Sequence, residues 1–310
     1  MLKVFICGDQ GTTGLRIGER LGARPDVTLL ALPQEQRKDV NAQAELAAKA
    51  DATFLCLPDA ASKALIEALG DEAGCVLDTS TAFRTDPRFA YGFPELSPAF
   101  AQRIKTARRI AVPGCHASGC ISLLYPLLQA GVIAPDAPLS LTSITGYTGG
   151  GKKMIAEYEA EGRDPSLDSC LPYGVNQQHK HLPEIVHVCG LAQPPVFQPV
   201  LGDFPRGMLV SLPLQAGLMQ KHIGLDEMTA LYRAHYAGQP LIRVLEPNPS
   251  ARIASNSMAD SDAMEIFLTG NDDRMIACSR FDNLGKGASG AAIECMNLRF
   301  GLPAETGLNT

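Results

Sequence analysis

Apolar residues in this 310-residue chain come in short runs separated by glycine, proline and charged turns, and their period changes along the chain. Residues 2–7 (LKVFIC) form a short apolar run ahead of a glycine-rich turn, the pattern of a buried strand. Leu15, Ile17 and Leu21 follow in a stretch that predicts a helix to about residue 23, and residues 27–32 form a second apolar run after Arg24-Pro25-Asp26. The alternation continues with a helix over 42–49, a strand over 52–57, a helix over 62–69 and a strand over 75–77 ending at Asp78. Strand and helix alternating at this spacing predict an α/β fold with a doubly wound, Rossmann-type parallel sheet over residues 1–113.

Beyond residue 113 the pattern differs. Ile121, Leu123, Leu124, Leu127 and Leu128 predict a helix beginning near Cys115. Strand-like runs then occupy 139–145, 196–198, 208–214, 241–245, 263–269 and 275–279, with helices over 152–161 and 226–236. Residues 114–286 therefore read as a second domain of α+β type with a mixed or antiparallel sheet. Ile293, Met296 and Leu298 sit at helical spacing in a final run.

Composition narrows the classes. Hydrophobic residues at 45% and charged residues at 19% are globular proportions, and a formal charge of −6 argues against a surface devoted to nucleic acid or anionic membrane. The nine cysteines are scattered without a CxxC pair, so neither a disulfide framework nor a cysteine-rich zinc module is indicated, and a reducing cytoplasm fits. The first apolar run is too short for a signal-peptide core, and no run approaches the roughly 20 residues that cross a bilayer.

Two regions carry chemistry. Gly8-x-x-Gly11-x-x-Gly14 lies between the first strand and the first helix, where backbone N–H groups and the helix dipole hold a pyrophosphate. No carboxylate directly ends the second strand, while Thr12, Thr13, Arg37 and Lys38 are suited to a 2′-phosphate; this favours NADP(H) over NAD, with Glu35 the opposing charge. Pro113-Gly114 forces a turn before Cys115, placing that thiol at a helix start where the dipole favours thiolate. His179 and His181 lack a convincing third ligand for a metal, and none is expected; Glu184, three residues beyond His181, is placed either as a capping-box residue or to orient the imidazole. His116, His187, His222 and His235 read as structural or surface residues.

The ordered set Gly8-x-x-Gly11-x-x-Gly14, Asp78-Thr79-Ser80-Thr81-Ala82-Phe83-Arg84, Tyr91-Gly92-Phe93-Pro94-Glu95-Leu96, Pro113-Gly114-Cys115, His179-x-His181-x-Pro183-Glu184 and Asp282-Asn283-Leu284-Gly285-Lys286-Gly287-Ala288-Ser289-Gly290 resembles the short branch of the N-acetyl-gamma-glutamyl-phosphate reductases, within the aspartate-semialdehyde dehydrogenase-like superfamily. The sequence departs from the common form of that family at His116-Ala117-Ser118, where a Tyr-Pro-Thr run is usual, and in the loop 143–152. The resemblance implies an NADPH-dependent reductive dephosphorylation in arginine biosynthesis, with Cys115 as nucleophile and His181 as acid–base, His179 being the second choice. It also implies cofactor contacts from Gly8, Gly11, Thr12, Thr13, Gly14, Pro58, Ser80, Gly149 and Asn283. Arg84 is assigned to the departing phosphate, and Lys152 or Arg206 to a substrate carboxylate. Homo-oligomers, a dimerisation role for the second domain, and return of residues 287–310 to the nucleotide domain follow from the same resemblance. Aspartate-semialdehyde dehydrogenase, an aminoadipyl-phosphate reductase and a nucleotide-binding redox sensor are the alternatives.

Overall fold

The computed structural model describes every residue except 71 and 72, and the chain divides into two compact units. The first comprises Met1–Gly114 with Ala288–Asn309, the second Cys115–Gly287.

In the first unit, strands β1 (Leu2–Cys7), β2 (Val27–Leu30), β3 (Ala52–Leu55), β4 (Cys75–Asp78), β5 (Ala90–Tyr91) and β6 (Arg109–Ala111) form a sheet in the order β2-β1-β3-β4-β6-β5. Every pairing is parallel. Helices α1 (Thr12–Gly22), α2 (Val40–Ala48), α3 (Asp59–Leu69) and α4 (Pro98–Thr106) connect the strands. Alternation along β1 explains its continuous apolar sequence: Val4 and Ile6 join one core with Ile17 and Leu21 of α1, while Phe5 and Cys7 join another with Leu65 and Leu69 of α3. Strand order reverses between β1 and β3, which puts a ligand crevice beyond the carboxyl ends of these two strands. The late segment Ala288–Asn309 belongs to this unit. Its Ala291, Ala292, Ile293, Cys295 and Met296 enter the first of the two cores, and buried Arg24 donates to Asn297 Oδ1 at 2.7 Å.

In the second unit, α5 (Cys115–Gln129) precedes β7 (Ser140–Gly146), α6 (Gly151–Tyr158), β8 (Leu171–Pro172), α7 (Leu182–Cys189), β9 (Val196–Gly202), β10 (Met208–Gln215), α8 (Leu225–His235), β11 (Ile242–Val244), β12 (Met264–Gly270) and β13 (Arg274–Phe281). The sheet order is β11-β12-β13-β10-β7-β9-β8, with β7–β9 and β11–β12 parallel and the other pairs antiparallel. Pro126 interrupts α5. Its missing N–H would leave the Ser122 carbonyl without its helical donor, and the Tyr236 hydroxyl donates to that oxygen at 2.8 Å instead. Tyr232, on α8, donates to the neighbouring Leu123 carbonyl at 2.7 Å. A helix, α9 (Gly290–Arg299), closes the chain after a π-helical turn over Gly285–Ser289.

Five of these elements lay outside the sequence expectations: β5, α4, β6, β8 and α7. Among the described residues no helix is long and apolar enough to cross a membrane.

Candidate active site

The first unit carries a cavity of about 1120 Å³ lined by Gly8, Gly14, Leu32, Gln34, Glu35, Arg37, Lys38 and Pro58 among others. Gly8 turns there with φ +88°, and a Cβ on it would stand 2.2 Å from the Cys56 carbonyl oxygen of the neighbouring strand, so only glycine fits. Gly11 then caps α1 without a side-chain hydrogen bond, and Thr12 and Thr13 occupy the first helical turn, half-buried. The backbone donors of that turn face no capping side chain, the arrangement a pyrophosphate requires. A dinucleotide therefore fits this site. Beyond β2, just after the short helical turn Gln34–Gln36, Arg37 approaches Asp9 at 3.6 Å, with both side chains more than a third exposed. A contact so open to water holds the guanidinium weakly.

In the second unit, Cys115 is the first residue of α5 and only half-buried. The buried thiols differ: burial pushes Cys7 and Cys75 up to about 12, and Cys120 and Cys189 also upward. Beside Cys115 in sequence, His116 is buried at 3% exposure and joins His179 and His181 in one cluster. The ring centroids are 5.2 Å apart for His116 and His179, 5.6 Å for His116 and His181, and 4.8 Å for His179 and His181. His181 occupies the cap position of α7 but makes no side-chain cap bond; Glu184, buried, is three residues into the motif as its spacing requires. Glu184 lies in the first turn of α7, which packs against α5; burial above all, with the charge of Glu184 adding to it, raises the Cys120 thiol on that helix. His179 Nδ1 accepts from the His181 backbone N–H at 3.2 Å, so its own proton resides on Nε2.

Electrostatics separate the histidines. Burial, reinforced by positive charge nearby, holds His116 down to about 3 and His179 down to about 4. Both rings are neutral at pH 7. Because the unfolded chain protonates them near 6.5, it binds more protons than the native state between that value and about pH 4, and stability falls as pH drops through this window. Acidification from pH 7 to 5 is expected to remove about 2 kcal/mol through His116 and less through His179. Urea unfolding at both pH values checks this: His116→Phe should show a distinctly smaller loss than the parent chain, and an identical loss would refute the assignment.

Other residues singled out from sequence have definite places. Pro58 lines the cavity and precedes α3. The Ser80 hydroxyl donates to Asp78 Oδ1 at 2.6 Å in a tight turn after β4. Asn283 uses its amide within the second unit, accepting from Gly207 N at 2.9 Å and donating to Thr148 Oγ1 at 3.2 Å, and Gly149 lies against it. Arg84 donates to the carbonyls of Val112 at 3.0 Å and Thr79 at 2.9 Å, bracing the segment that leads to Cys115. Arg206 is clasped by the carboxylates of Asp260 and Asp282. These two arginines serve the scaffold in this structure, whereas Lys152 is exposed in the first turn of α6. Sequence reasoning read His116 as a structural or surface residue, its adjacency to Cys115 setting it apart from the other histidines, and it passed over Ser143 and Tyr173, which approach that ring from distant segments.

Comparison with known proteins places both units. Residues 3–105 match the family model described as semialdehyde dehydrogenase, NAD binding domain, and residues 115–283 match semialdehyde dehydrogenase, dimerisation domain. The chain is 41% identical over 305 residues to the N-acetyl-gamma-glutamyl-phosphate reductase of Chelativorans sp., covering 96% of this chain and 97% of that one. The chain belongs to the N-acetyl-gamma-glutamyl-phosphate reductase family. The reductase of Brucella ovis is 40% identical over 306 residues, with 96% and 99% covered. Solved aspartate semialdehyde dehydrogenases share the fold at much lower identity. The Vibrio cholerae enzyme II has a TM-score of 0.74 at 15% identity, covering 96% of this chain and 98% of that one. The Candida albicans enzyme, solved with NADP, has a TM-score of 0.68 at 15% identity with the same coverages. The chain pairs a unit matching the NAD binding domain with a unit matching the dimerisation domain, and the second match begins at Cys115.

Proposed function

We propose that this chain reduces N-acetyl-L-glutamyl 5-phosphate to N-acetyl-L-glutamate 5-semialdehyde with NADPH, releasing phosphate. The observation that carries the reading is Cys115 at the start of α5, next in the chain to a residue packed on His181. Cys115 Sγ attacks the acyl carbon, its S–C bond forming as the bond to the phosphate oxygen breaks, which leaves a thioester. First-turn amides of α5 have no helical acceptor and stabilise the oxyanion that develops on the acyl oxygen. NADPH supplies the hydride for reduction when bound on the Gly8–Gly14 loop. His181 takes the thiol proton during attack and returns one as the tetrahedral species forms and collapses, regenerating the thiol. His179 is less suited to this exchange, since its Nδ1 accepts from backbone and its ring stays neutral down to about pH 4. Glu184 orients His181, and Lys152 meets the substrate carboxylate. The family's dimerisation domain supports assembly as a homo-oligomer.

The reverse reaction tests the proposal. Purified protein given N-acetylglutamate semialdehyde and phosphate should reduce NADP, with no turnover if phosphate is omitted. Aspartate semialdehyde, run in parallel, should be a poor substrate, and preference for it would refute the assignment. NADP should be favoured over NAD by at least about tenfold in affinity, a difference that one or two charge-assisted hydrogen bonds supply. Arg37→Ala combined with Lys38→Ala should bring the ratio close to one; an unchanged ratio would place 2′-phosphate recognition elsewhere.

A further inference from the structure

His116 is gripped at both ring nitrogens. Its Nδ1 lies 2.7 Å from Ser143 Oγ on β7, and its Nε2 lies 2.6 Å from the Tyr173 hydroxyl. Both anchors belong to rigid parts of the second unit. Ser143 is fully buried in the centre of β7, and the Tyr173 backbone N–H donates to the Pro199 carbonyl of β9 at 3.0 Å. A neutral imidazole offers one donor and one acceptor, and hydroxyls accept either role, so the chain Ser143–His116–Tyr173 closes without an unsatisfied group. A ring held at both nitrogens cannot rotate about its own axis without breaking two short hydrogen bonds.

This immobile ring is also a packing surface. His179 meets it edge-on at 5.2 Å, His181 rests on it at a 52° tilt, and Phe197 backs it at 5.5 Å. The titratable groups around it are Cys115 on its own helix, Tyr173, His179, Lys180 and His181, and Glu184 follows in the first turn of α7. Tyr173 stays protonated, raised by burial and by the charge of Cys115, so its hydroxyl remains able to hydrogen-bond the ring at any working pH.

We propose that His116 is a positioning residue for the reaction at Cys115: clamped between Ser143 and Tyr173, its ring fixes the orientation in which His181 serves the thiol. The proposal rests on the reading of Cys115 and His181 as nucleophile and acid–base. It assigns a role to three residues that touch neither substrate nor cofactor in that reading, and it accounts for why a polar ring stands buried directly after the nucleophile. An apolar ring of the same size would pack there without two hydrogen-bonding partners and would be free to turn.

The test reads Cys115 directly, by its iodoacetamide alkylation rate against pH without substrate, alongside turnover. In His116→Phe the midpoint of thiol reactivity should rise by about one pH unit, lowering the rate at pH 7 about tenfold while the plateau at high pH is unchanged. Turnover should fall by about 10- to 100-fold with KM within about threefold, the signature of lost orientation and not of lost binding. His116→Gln keeps one donor and one acceptor and should recover most of both effects. Ser143→Ala and Tyr173→Phe should each give a partial shift in the same direction, and neither should add to His116→Phe. Unshifted midpoints in all three positions, or a glutamine no better than phenylalanine, would overturn the proposal. If His116→Phe does not fold, the two hydroxyl variants decide by the same midpoint. Because alkylation needs no substrate, shifted midpoints in a protein that does not turn over the acyl phosphate would support the clamp and refute the proposed reaction.

Discussion

Replacing Cys115 by alanine is expected to abolish phosphate release and hydride transfer together while leaving NADPH binding intact. The two losses are coupled because the thioester is the species that accepts hydride, so no later step survives without the first. Binding persists because the glycine loop belongs to the other unit, in a separate core. Serine at 115 keeps the shape but offers a hydroxyl far harder to ionise than a thiol, and it should be nearly as inactive; a cysteine with a packing role alone would tolerate serine with a modest stability loss. Wild type supplied with the acyl phosphate and no NADPH should accumulate an acyl adduct, located at Cys115 by intact mass and peptide mapping. An adduct on Cys120, whose buried thiol is pushed well up, or substantial turnover by Cys115→Ala would end the covalent mechanism.

His181→Asn is expected to slow turnover by roughly 10² or more, the loss typical of a missing general acid–base, with cofactor affinity nearly unchanged. Asparagine retains hydrogen-bonding capacity and a similar reach but does not exchange protons, so the comparison isolates proton transfer from packing. The pH–rate profile should lose the limb that reports His181. His179→Asn is the control. It removes a ring that stays neutral down to about pH 4 and whose Nδ1 is occupied by the His181 backbone N–H, so its cost should be smaller. A His179 variant slower than the His181 variant would exchange the two roles.

The elements legible in the sequence were those with their own local signal. β1, β3 and β4 are apolar runs stopped by glycine, proline or aspartate, and α5 follows a Pro-Gly turn. What escaped lacked one. β5 has two residues, β6 three, and only Ile104 of α4 is buried, so no periodic stripe marks that helix. α7 is eight residues long and has a proline at its second position, which reads as loop until its apolar face meets α5. The site shows the same division. The glycine loop and Cys115 are marked by neighbours in sequence, whereas the partners of a long cation are not: Arg206 is held by Asp282, 76 positions away. His116 is likewise defined by Ser143 and Tyr173, 27 and 57 residues further on.

The proline inside α5 has a consequence for assembly. With Pro126 in place, the Ser122 carbonyl obtains its donor from Tyr236, which follows α8 more than a hundred positions later in the chain. The helix that begins at Cys115 is thus incomplete as a local structure and becomes whole only when a late-synthesised segment docks. During synthesis on the ribosome, that carbonyl therefore waits for its donor until Tyr236 has emerged, 114 residues after Ser122. The second half of α5 is completed by a contact distant in sequence, so its full stability arrives only with the finished domain.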